Sequence, residues 1–317
     1  MIEKYYDGAI EQVAAGLGTV EKNYLLVRYS GQFSVENLND TKQLEKNEDI
    51  FVQVHEFETG EITCAYEPYL TMICDGFRRY MTGTFEEFME TCDVYYLHRP
   101  VLLGYFNQDN TGREEIILLD EVAYEQERML AALERMLCAI ADRHPVLFVL
   151  NRFQLASKST MQLTARFLKC ENCNIGLVLG VSDIQAMPEF LVPDWEMLYE
   201  TLDDGSKIYH IGNSGRKKEE TIDDEKYVDY GSEKVYRKLQ NMVEFLDFDQ
   251  AAYYLETIER KIKFDNLLVD DAARFRMWLL FVKVSILRQD IPKALEICED
   301  LEKIHLAGKE EECAYEQ

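Results

Sequence analysis

The residues that could carry phosphate chemistry follow the apolar run YLLVRY, where the chain continues as SGQFSVENL. A loop that grips phosphate needs glycines whose N–H groups converge, a lysine for the β and γ phosphates, and a Ser or Thr for the metal. Gly31 and Ser34 are of the required types, but Gln32 stands where a small residue is needed, and no GK[ST] sequence occurs in the chain. The segment from Ser30 is therefore interpreted as a neutral, bulky remnant of a phosphate site.

The second segment with chemical potential is the end of the apolar run VLFVL, where Asn151 and Arg152 follow. An acidic side chain at the end of such a strand holds Mg²⁺ directly or through water and helps to orient an attacking water. Asn151 could still accept a hydrogen bond from a hydrated ion, but Arg152 puts a positive charge where the cation would lie. Weak metal binding is predicted.

Other catalytic or metal-binding patterns are incomplete. Cys170 and Cys173 form one CxxC, which could begin a zinc site or a redox pair, but no second CxxC or histidine pair lies at a suitable spacing. The five histidines are far apart and form no HExxH, and no GxSxG elbow is present. We expect no metal site, and the sequence gives no support for a hydrolase of the GxSxG kind.

Charge and hydropathy restrict the partners. The 59 acidic residues outnumber the 34 basic ones, and the resulting net charge of -25 repels nucleic acid and anionic membranes. No stretch approaches the roughly 20 apolar residues of a membrane span, and the first residues lack the order of a signal peptide. A cytoplasmic location is expected, and with it reduced thiols for the eight cysteines.

The elements that must position these residues alternate between strands and helices. YLLVRY, DIFVQVHEF, VLFVL and NIGLVLGVSD are predicted strands, and the last two are continuously apolar, as strands covered on both faces are. Helices are predicted before and between them, at residues 5–17, 68–80, 84–98, 121–143 and 157–168. PVLLGYFNQDNTGREEI is predicted to be irregular. The alternation indicates a parallel α/β sheet over residues 1–205.

Residues 206–231 are polar, charged and glycine-bearing, and form a predicted linker to an all-helical domain at 232–317. Helices are predicted there at about 232–246, 249–264, 270–288 and 291–306. An offset of 43 residues superimposes apolar positions such as Val235 on Trp278, which indicates a helix-hairpin repeat, although any two amphipathic hairpins superimpose at some offset. Aromatic residues at helical spacing are explained by core packing or by a partner-binding face: Tyr253, Tyr254 and Trp278.

These segments together resemble the STAND class of signalling ATPases, a branch of the AAA+ superfamily of P-loop NTPases. The resemblance rests on Pro145 with VLFVL, on Gln154 and Ala156, and on the helix after Ser157, where the class has an acidic residue. By the same resemblance, Pro68 and Tyr69 match the turn before a helix. Ser182 or Asp183 is the nearest candidate for the polar sensor, and the helical hairpins are similar to tetratricopeptide repeats.

The resemblance implies a P-loop NTPase-like domain that self-associates and a helical domain that binds a protein partner. Because the residues that grip nucleotide are missing, we expect a pseudo-ATPase, that is a regulatory or scaffold module of a bacterial signalling protein without a cofactor. The alternative is a divergent ATP-binding switch or very slow ATPase that uses backbone donors after Gly31, with Asp183, Glu121 or Asp120 as the carboxylate. A longer regulator with an output domain after Gln317 is a further alternative.

Overall fold

The computed structural model describes a parallel α/β part and a helical part of the chain. Two compact units are distinguished, Met1–Thr111 with Arg128–Lys226, and Gly112–Glu127 with Tyr227–Gln317. Most of the predicted linker 206–231 lies outside the described residues, but Ile208–Ile211 within it form an edge strand of the sheet. The structure describes residues 2–17, 24–29, 49–58, 60–108, 121–170, 174–182, 187–202, 208–211, 229–265 and 267–304.

The first unit contains a sheet of five strands in the order β2-β3-β4-β1-β5, in which every neighbouring pair is parallel. This confirms the predicted α/β class. The apolar runs VLFVL and NIGLVLGV form the two central strands β3 and β4, which are buried along their whole length. The strands are β1 (Tyr24–Tyr29), β2 (Phe51–Glu56), β3 (Val146–Asn151), β4 (Ile175–Ser182) and β5 (Ile208–Ile211).

Seven α-helices accompany these strands within the described residues. They are α1 (Ile2–Gly16), α2 (Tyr69–Tyr80), α3 (Phe85–Thr91), α4 (Arg99–Asn107), α5 (Val122–Ala141), α6 (Lys158–Lys169) and α7 (Val192–Leu202), and short 3-10 turns lie at Phe153–Leu155 and Glu189–Leu191. The prediction of one helix at 84–98 was wrong. Thr84 begins α3 with a capping box, α3 ends at Thr91, and Asp93 turns the chain with a φ of 51°.

The prediction of irregular structure for the segment beginning PVLLGYFN was wrong over α4. Pro100 lies in the first turn of that helix, where its missing N–H leaves no intrahelical bond unmade. The proline therefore favours the helix start, which composition alone had suggested to be a loop.

Helices cover both faces of the sheet. On one face, Ile10 and Val13 of α1 pack against alternating residues of β1, β3 and β4. The helix approaches β4 at Gly176, where an added Cβ would lie 2.7 Å from Val13 Cγ1. On the other face, the Tyr69 ring of α2 packs edge-on against Phe148 of β3 at 4.7 Å. The sheet is thus a central layer between helices.

The second unit contains two helical hairpins whose turns have the same geometry. Leu246 and Gln289, which are 43 residues apart, both have a left-handed φ, of 67° and 61°. The next residue of each turn donates its N–H five residues back, from Asp247 to Met242 O and from Asp290 to Ser285 O, both at 2.8 Å. The four helices are α8 (Glu233–Glu244), α9 (Phe248–Phe264), α10 (Asp271–Leu287) and α11 (Ile291–Leu301).

The two turns thus lie 43 residues apart, and the interpretation of the hairpins as a repeat stays a prediction. A tetratricopeptide repeat is about 34 residues long, whereas HEAT and armadillo repeats are about 40–47 residues long. Similarity to tetratricopeptide repeats stays a prediction.

The expectation of reduced thiols was wrong for one cysteine. Cys138 of α5 is disulfide-bonded. Spacing in the sequence does not reveal which thiols meet in space, which is why the bond was not foreseen. Reduced thiols are found at Cys64, Cys74, Cys92, Cys170 and Cys298.

No helix in the described part of the chain has both the length and the apolar character needed to cross a membrane.

Candidate functional site at the carboxyl edge of the sheet

The strand order identifies one edge of the sheet as the candidate site. The connection from β1 to β2 must cross β4 and β3, whereas the connection from β4 to β5 must cross β1 in the opposite direction. Adjacent strands whose connections leave in opposite directions create a crevice at their carboxyl ends, where doubly wound sheets bind ligands. The residues that end β1, β3 and β4 therefore line the candidate site.

Four polar residues that end strands share one face of the sheet. Tyr29 belongs to the core cluster formed with α1, and Val149 and Val178 belong to the same cluster. Because side chains alternate along a strand, Asn151 and Ser182 lie on that face. Val54 also packs against the cluster, which places Glu56 at the end of β2 on the same face.

The Tyr29 hydroxyl donates a hydrogen bond of 2.7 Å to Asn151 Oδ1. Both residues are buried, and they belong to strands separated by β4. Gly180 of β4 lies on the same face between them and carries no side chain, so the phenol ring can reach across β4. Asn151, the predicted remnant of a metal-binding position, is thus engaged by a neutral donor.

Burial is the main reason why the pKa of Tyr29 is raised to about 12. The positive charge of Arg152 and the Asn151 hydrogen bond act in the opposite direction, and the negative charge of Glu56 adds to the increase. The phenol is therefore protonated at neutral pH and acts as a hydrogen-bond donor. It has no capacity to serve as a general base there.

Arg152 and Glu56 form an ion pair beside this hydrogen bond. Arg152 Nε lies 3.4 Å from Glu56 Oε1, and the two side chains are 26% and 18% exposed. The pair follows from the register, which aligns Glu56 with Asn151, and from the left-handed φ of 52° that turns the chain at Arg152. The guanidinium charge is compensated within the protein, as is the carboxylate charge.

Gln154 connects the turn after β3 to the end of β4. Its Nε2 donates to Ser182 O at 3.2 Å, and its Oε1 accepts from the Ser182 N–H at 3.3 Å. The donor and the acceptor of the Gln154 side-chain amide therefore both hold the backbone at Ser182, the predicted sensor position. This pair of bonds fixes the distance between the ends of two central strands.

Ser157 occupies the position at which the resembled class has a further acidic residue. It is the N-cap of α6, and its Oγ accepts from the Thr160 N–H at 3.2 Å. The same hydroxyl lies 3.0 Å from Ser159 Oγ, and Ser159 in turn accepts from the Tyr66 N–H. Ser157 is wholly buried in this hydroxyl network, so its described contacts are structural.

Three of the predicted site residues are thus brought together, namely Asn151, Arg152 and Ser182. The remaining ones, Ser30, Gly31, Gln32, Ser34 and Asp183, lie outside the described residues. Sequence reasoning missed Tyr29 and Glu56. Each is the last residue of its strand, and the alternation of apolar positions could have placed both on the α1 face.

The predicted partner-binding aromatics lie in different surroundings. Trp278 is only 2% exposed and packs against Phe281 at 6.4 Å. Tyr253 and Tyr254 are half-buried in α9, with their ring centroids 5.4 Å apart. Of the three, only the tyrosines offer surface to a partner.

The polar groups at this edge are neutral donors and acceptors together with one ion pair, Arg152 with Glu56. Glu56 is the carboxylate nearest to Asn151 in the strand register, and it already faces Arg152. In the part of the chain that the structure describes, no three His, Cys, Asp or Glu side chains are grouped so that they could hold a metal ion. No protein-family model matches the chain, and no curated protein is significantly similar to it in sequence.

Proposed function

We propose that the chain is a catalytically silent STAND-like module of the AAA+ superfamily joined to tetratricopeptide-like hairpins. It acts in the cytoplasm as a scaffold or regulatory part of a bacterial signalling protein and binds a protein partner. The parallel sheet, the doubly wound strand order and the helical hairpins in the second unit support this proposal.

The hydrogen bond from Tyr29 to Asn151 is the observation that carries the proposal. A magnesium ion at the end of β3 needs a carboxylate or an oxygen that is open to its water shell. Here the Asn151 oxygen accepts from a buried phenol, and breaking such a bond leaves buried groups unsatisfied at a cost of about 1–3 kcal/mol. Glu56, the carboxylate beside Asn151, is already paired with Arg152.

Calorimetric titration of the full chain with Mg-ATP, Mg-ADP and Mg-GTP tests the proposal. We expect no saturable heat with any of the three. The same titrations with EDTA in place of Mg²⁺ separate phosphate binding from metal binding. Saturable micromolar binding that requires Mg²⁺ would contradict a silent module.

A divergent ATP-binding switch is the second candidate, and the position of Glu56 favours it. This carboxylate lies beside Asn151, and a hydrated ion that displaced the Arg152 side chain would gain an acidic ligand. On this alternative, Glu56→Gln abolishes Mg²⁺-dependent nucleotide binding, whereas Glu58→Gln, two residues further along, leaves it unchanged. On the silent-module proposal, neither variant changes the absence of heat.

A further inference from the structure

Arg28 lies on the face of β1 opposite to Tyr29. Tyr29 belongs to the core cluster with α1, and the alternation of side chains along the strand places Tyr24 and Arg28 on the other face. There the Tyr24 hydroxyl donates to Thr201 O of α7 at 3.5 Å, so α7 lies over this side of β1. The guanidinium carbon of Arg28 lies 5.8 Å from the centroid of the Tyr199 ring of the same helix. The arginine therefore lies between the strand and α7.

This guanidinium has no charge partner in the part of the chain that the structure describes. The Arg28 side chain is half-buried, and within those residues it forms no hydrogen bond or ion pair. A half-buried cation without a counter-ion loses hydration that the Tyr199 ring offsets only in part. Other half-buried arginines form ion pairs, namely Arg99 with Glu90, Arg152 with Glu56, Arg166 with Glu134 and Arg274 with Asp271. Since the chain has 59 acidic residues, the unpaired charge at Arg28 indicates an anion from outside the chain.

Two half-buried aromatic rings adjoin the guanidinium. Trp195 and Tyr199 are one turn apart on α7, and their ring centroids lie 6.1 Å apart. The helix buries an adjacent side through Leu198 and Leu202, so the two rings lie at the border between the core and solvent. Aromatic rings at such a border offer an apolar surface against which the ring of a ligand can stack.

The strand order places these three side chains at the edge where the sheet reverses its connections. β1 and β4 are neighbours whose connections leave in opposite directions, and doubly wound sheets bind ligands outside the carboxyl ends of such strands. α7 runs against β1, because Thr201 near the end of the helix contacts Tyr24 at the start of the strand, whereas Tyr199 lies beside Arg28. Trp195, which is nearer the beginning of α7, is therefore displaced toward the carboxyl edge.

The charges around Arg28 favour a ligand with a single negative charge. Arg28 supplies one positive charge, whereas the charged residues of α7 are all acidic, namely Asp194, Glu196 and Glu200. Asp194 accepts from Gln162 Nε2 at 2.8 Å, and the two glutamates are exposed. A second negative charge on the ligand would be repelled by these carboxylates. The planar fork of a guanidinium matches a carboxylate through two parallel hydrogen bonds.

We propose that Arg28, Trp195 and Tyr199 form a binding site for a small aromatic carboxylate. The guanidinium binds the carboxylate, and the rings of α7 contact the ring of the ligand. The site lies on the opposite face of the sheet from Tyr29 and Asn151. It requires neither nucleotide nor magnesium, so the outcome of the Mg-ATP titration does not bear on it.

Fluorescence titration of the full chain tests the site. The chain has two tryptophans and Trp278 is only 2% exposed, so a ligand beside Trp195 is expected to change mainly the emission of that indole. Sodium benzoate is the probe, benzyl alcohol has the ring without the charge, and sodium acetate has the charge without the ring, all at constant ionic strength. We expect a saturable change with benzoate and at least about tenfold weaker binding of the other two compounds.

Arg28→Gln is expected to weaken benzoate binding at least about tenfold, because it removes the positive charge that binds the carboxylate. Arg143→Gln is the matched control, since Arg143 is exposed and follows the end of α5. Arg28→Lys keeps the charge but loses the planar fork, so its dissociation constant should lie between those of the wild type and Arg28→Gln. The lysine variant takes the place of Arg28→Gln if circular dichroism shows that the latter does not fold.

Thermal unfolding separates an arginine that binds the ligand from one that only supports the fold. Benzoate should raise the midpoint temperature of the wild type and of Arg143→Gln, but not that of Arg28→Gln. The proposal is overturned if benzoate gives no saturable change in emission, or if the Arg28 variants bind it as tightly as the wild type. It is equally overturned if benzyl alcohol binds as tightly as benzoate, because binding would then need only the rings of α7.

Discussion

Tyr29 joins two strands that are not neighbours in the sheet. Its hydroxyl extends over the intervening strand β4 to reach Asn151, so one hydrogen bond connects β1 to β3. At this scale the candidate site is a set of polar groups that satisfy one another. The energetic value of each link can be measured by removing one atom at a time.

Removal of the Tyr29 hydroxyl is the sharpest of these tests. Tyr29→Phe keeps the ring but takes the donor from Asn151, and we expect a loss of about 1–3 kcal/mol in the free energy of unfolding, measured by urea denaturation. Tyr96→Phe is the control, because Tyr96 is 62% exposed and should change stability by less than about 0.5 kcal/mol. Equal stability of the Tyr29 variant and the wild type would contradict the assigned bond.

The raised pKa of Tyr29 also predicts a pH dependence. In the unfolded chain a tyrosine has a pKa of about 10, whereas burial raises the pKa of Tyr29 to about 12 in the folded protein. The folded state therefore holds this proton more tightly. The resulting stabilisation is fully present below about pH 10 and is lost as the pH rises toward 12.

Ultraviolet titration of the folded protein measures this effect. Burial also raises the pKa of Tyr105 to about 12, so the titration of the wild type must be compared with that of Tyr29→Phe. The variant should lack one late-ionising tyrosine and should lose less stability above pH 10. If the variant instead lacks a tyrosine that ionises near pH 10, the pKa of Tyr29 is not raised.

At the scale of elements, α1 packs closely against β4 at Gly176. Among the described glycines, this is the strand position at which an added Cβ would lie nearest to a helix side chain. Gly176→Ala places a Cβ 2.7 Å from Val13 Cγ1 and 3.0 Å from Leu147 Cδ1, and overpacking of this kind costs about 1–3 kcal/mol. Gly8→Ala in the same helix meets no atom within 4 Å. We expect it to stabilise α1 by about 0.5–1 kcal/mol. The midpoint temperature of thermal unfolding should therefore fall for Gly176→Ala and rise for Gly8→Ala.

The interface between the two hairpins contains a buried carboxylate. Glu259 accepts Lys263 at 2.7 Å and Lys293 at 2.8 Å, and its side chain is 8% exposed. Glu259→Gln leaves both ammonium groups without their charge partner at that position, and we expect a loss of about 1–3 kcal/mol in urea denaturation. Glu256→Gln, an exposed change in the same helix, is the control and should stay within about 0.5 kcal/mol. A Glu259→Gln variant as stable as this control would show that the pair is dispensable.

The elements could be predicted where periodicity was unbroken. The apolar runs of β3 and β4 and the helix after Ser157 were foreseen because their patterns are local. The break at Asp93 and the helix around Pro100 were missed, since a single backbone turn decides them. Tyr29 and Glu56 were missed for a different reason, because their neighbours are set by strand register and not by sequence distance.

At the scale of the whole molecule, the net charge of -25 is the dominant electrostatic property. Like charges repel one another most strongly in the compact state, and salt screens them with a Debye length of about 10 Å at 0.1 M. Urea denaturation should therefore give a higher free energy of unfolding with added sodium chloride than without it. Potassium chloride should act equally, since screening does not depend on the identity of the cation. A fall in stability with both salts would mean that local ion pairs outweigh the net repulsion.

The unlike outer surfaces of the two hairpins give the helical repeat a direction. An additional hairpin of the same type could be joined to the side of α11 that exposes Ile291 and Leu295. The side of α8 that carries Lys234, Arg237 and Lys238 offers it no apolar surface. A protein lengthened by duplication of this 43-residue unit would therefore have to be extended after α11.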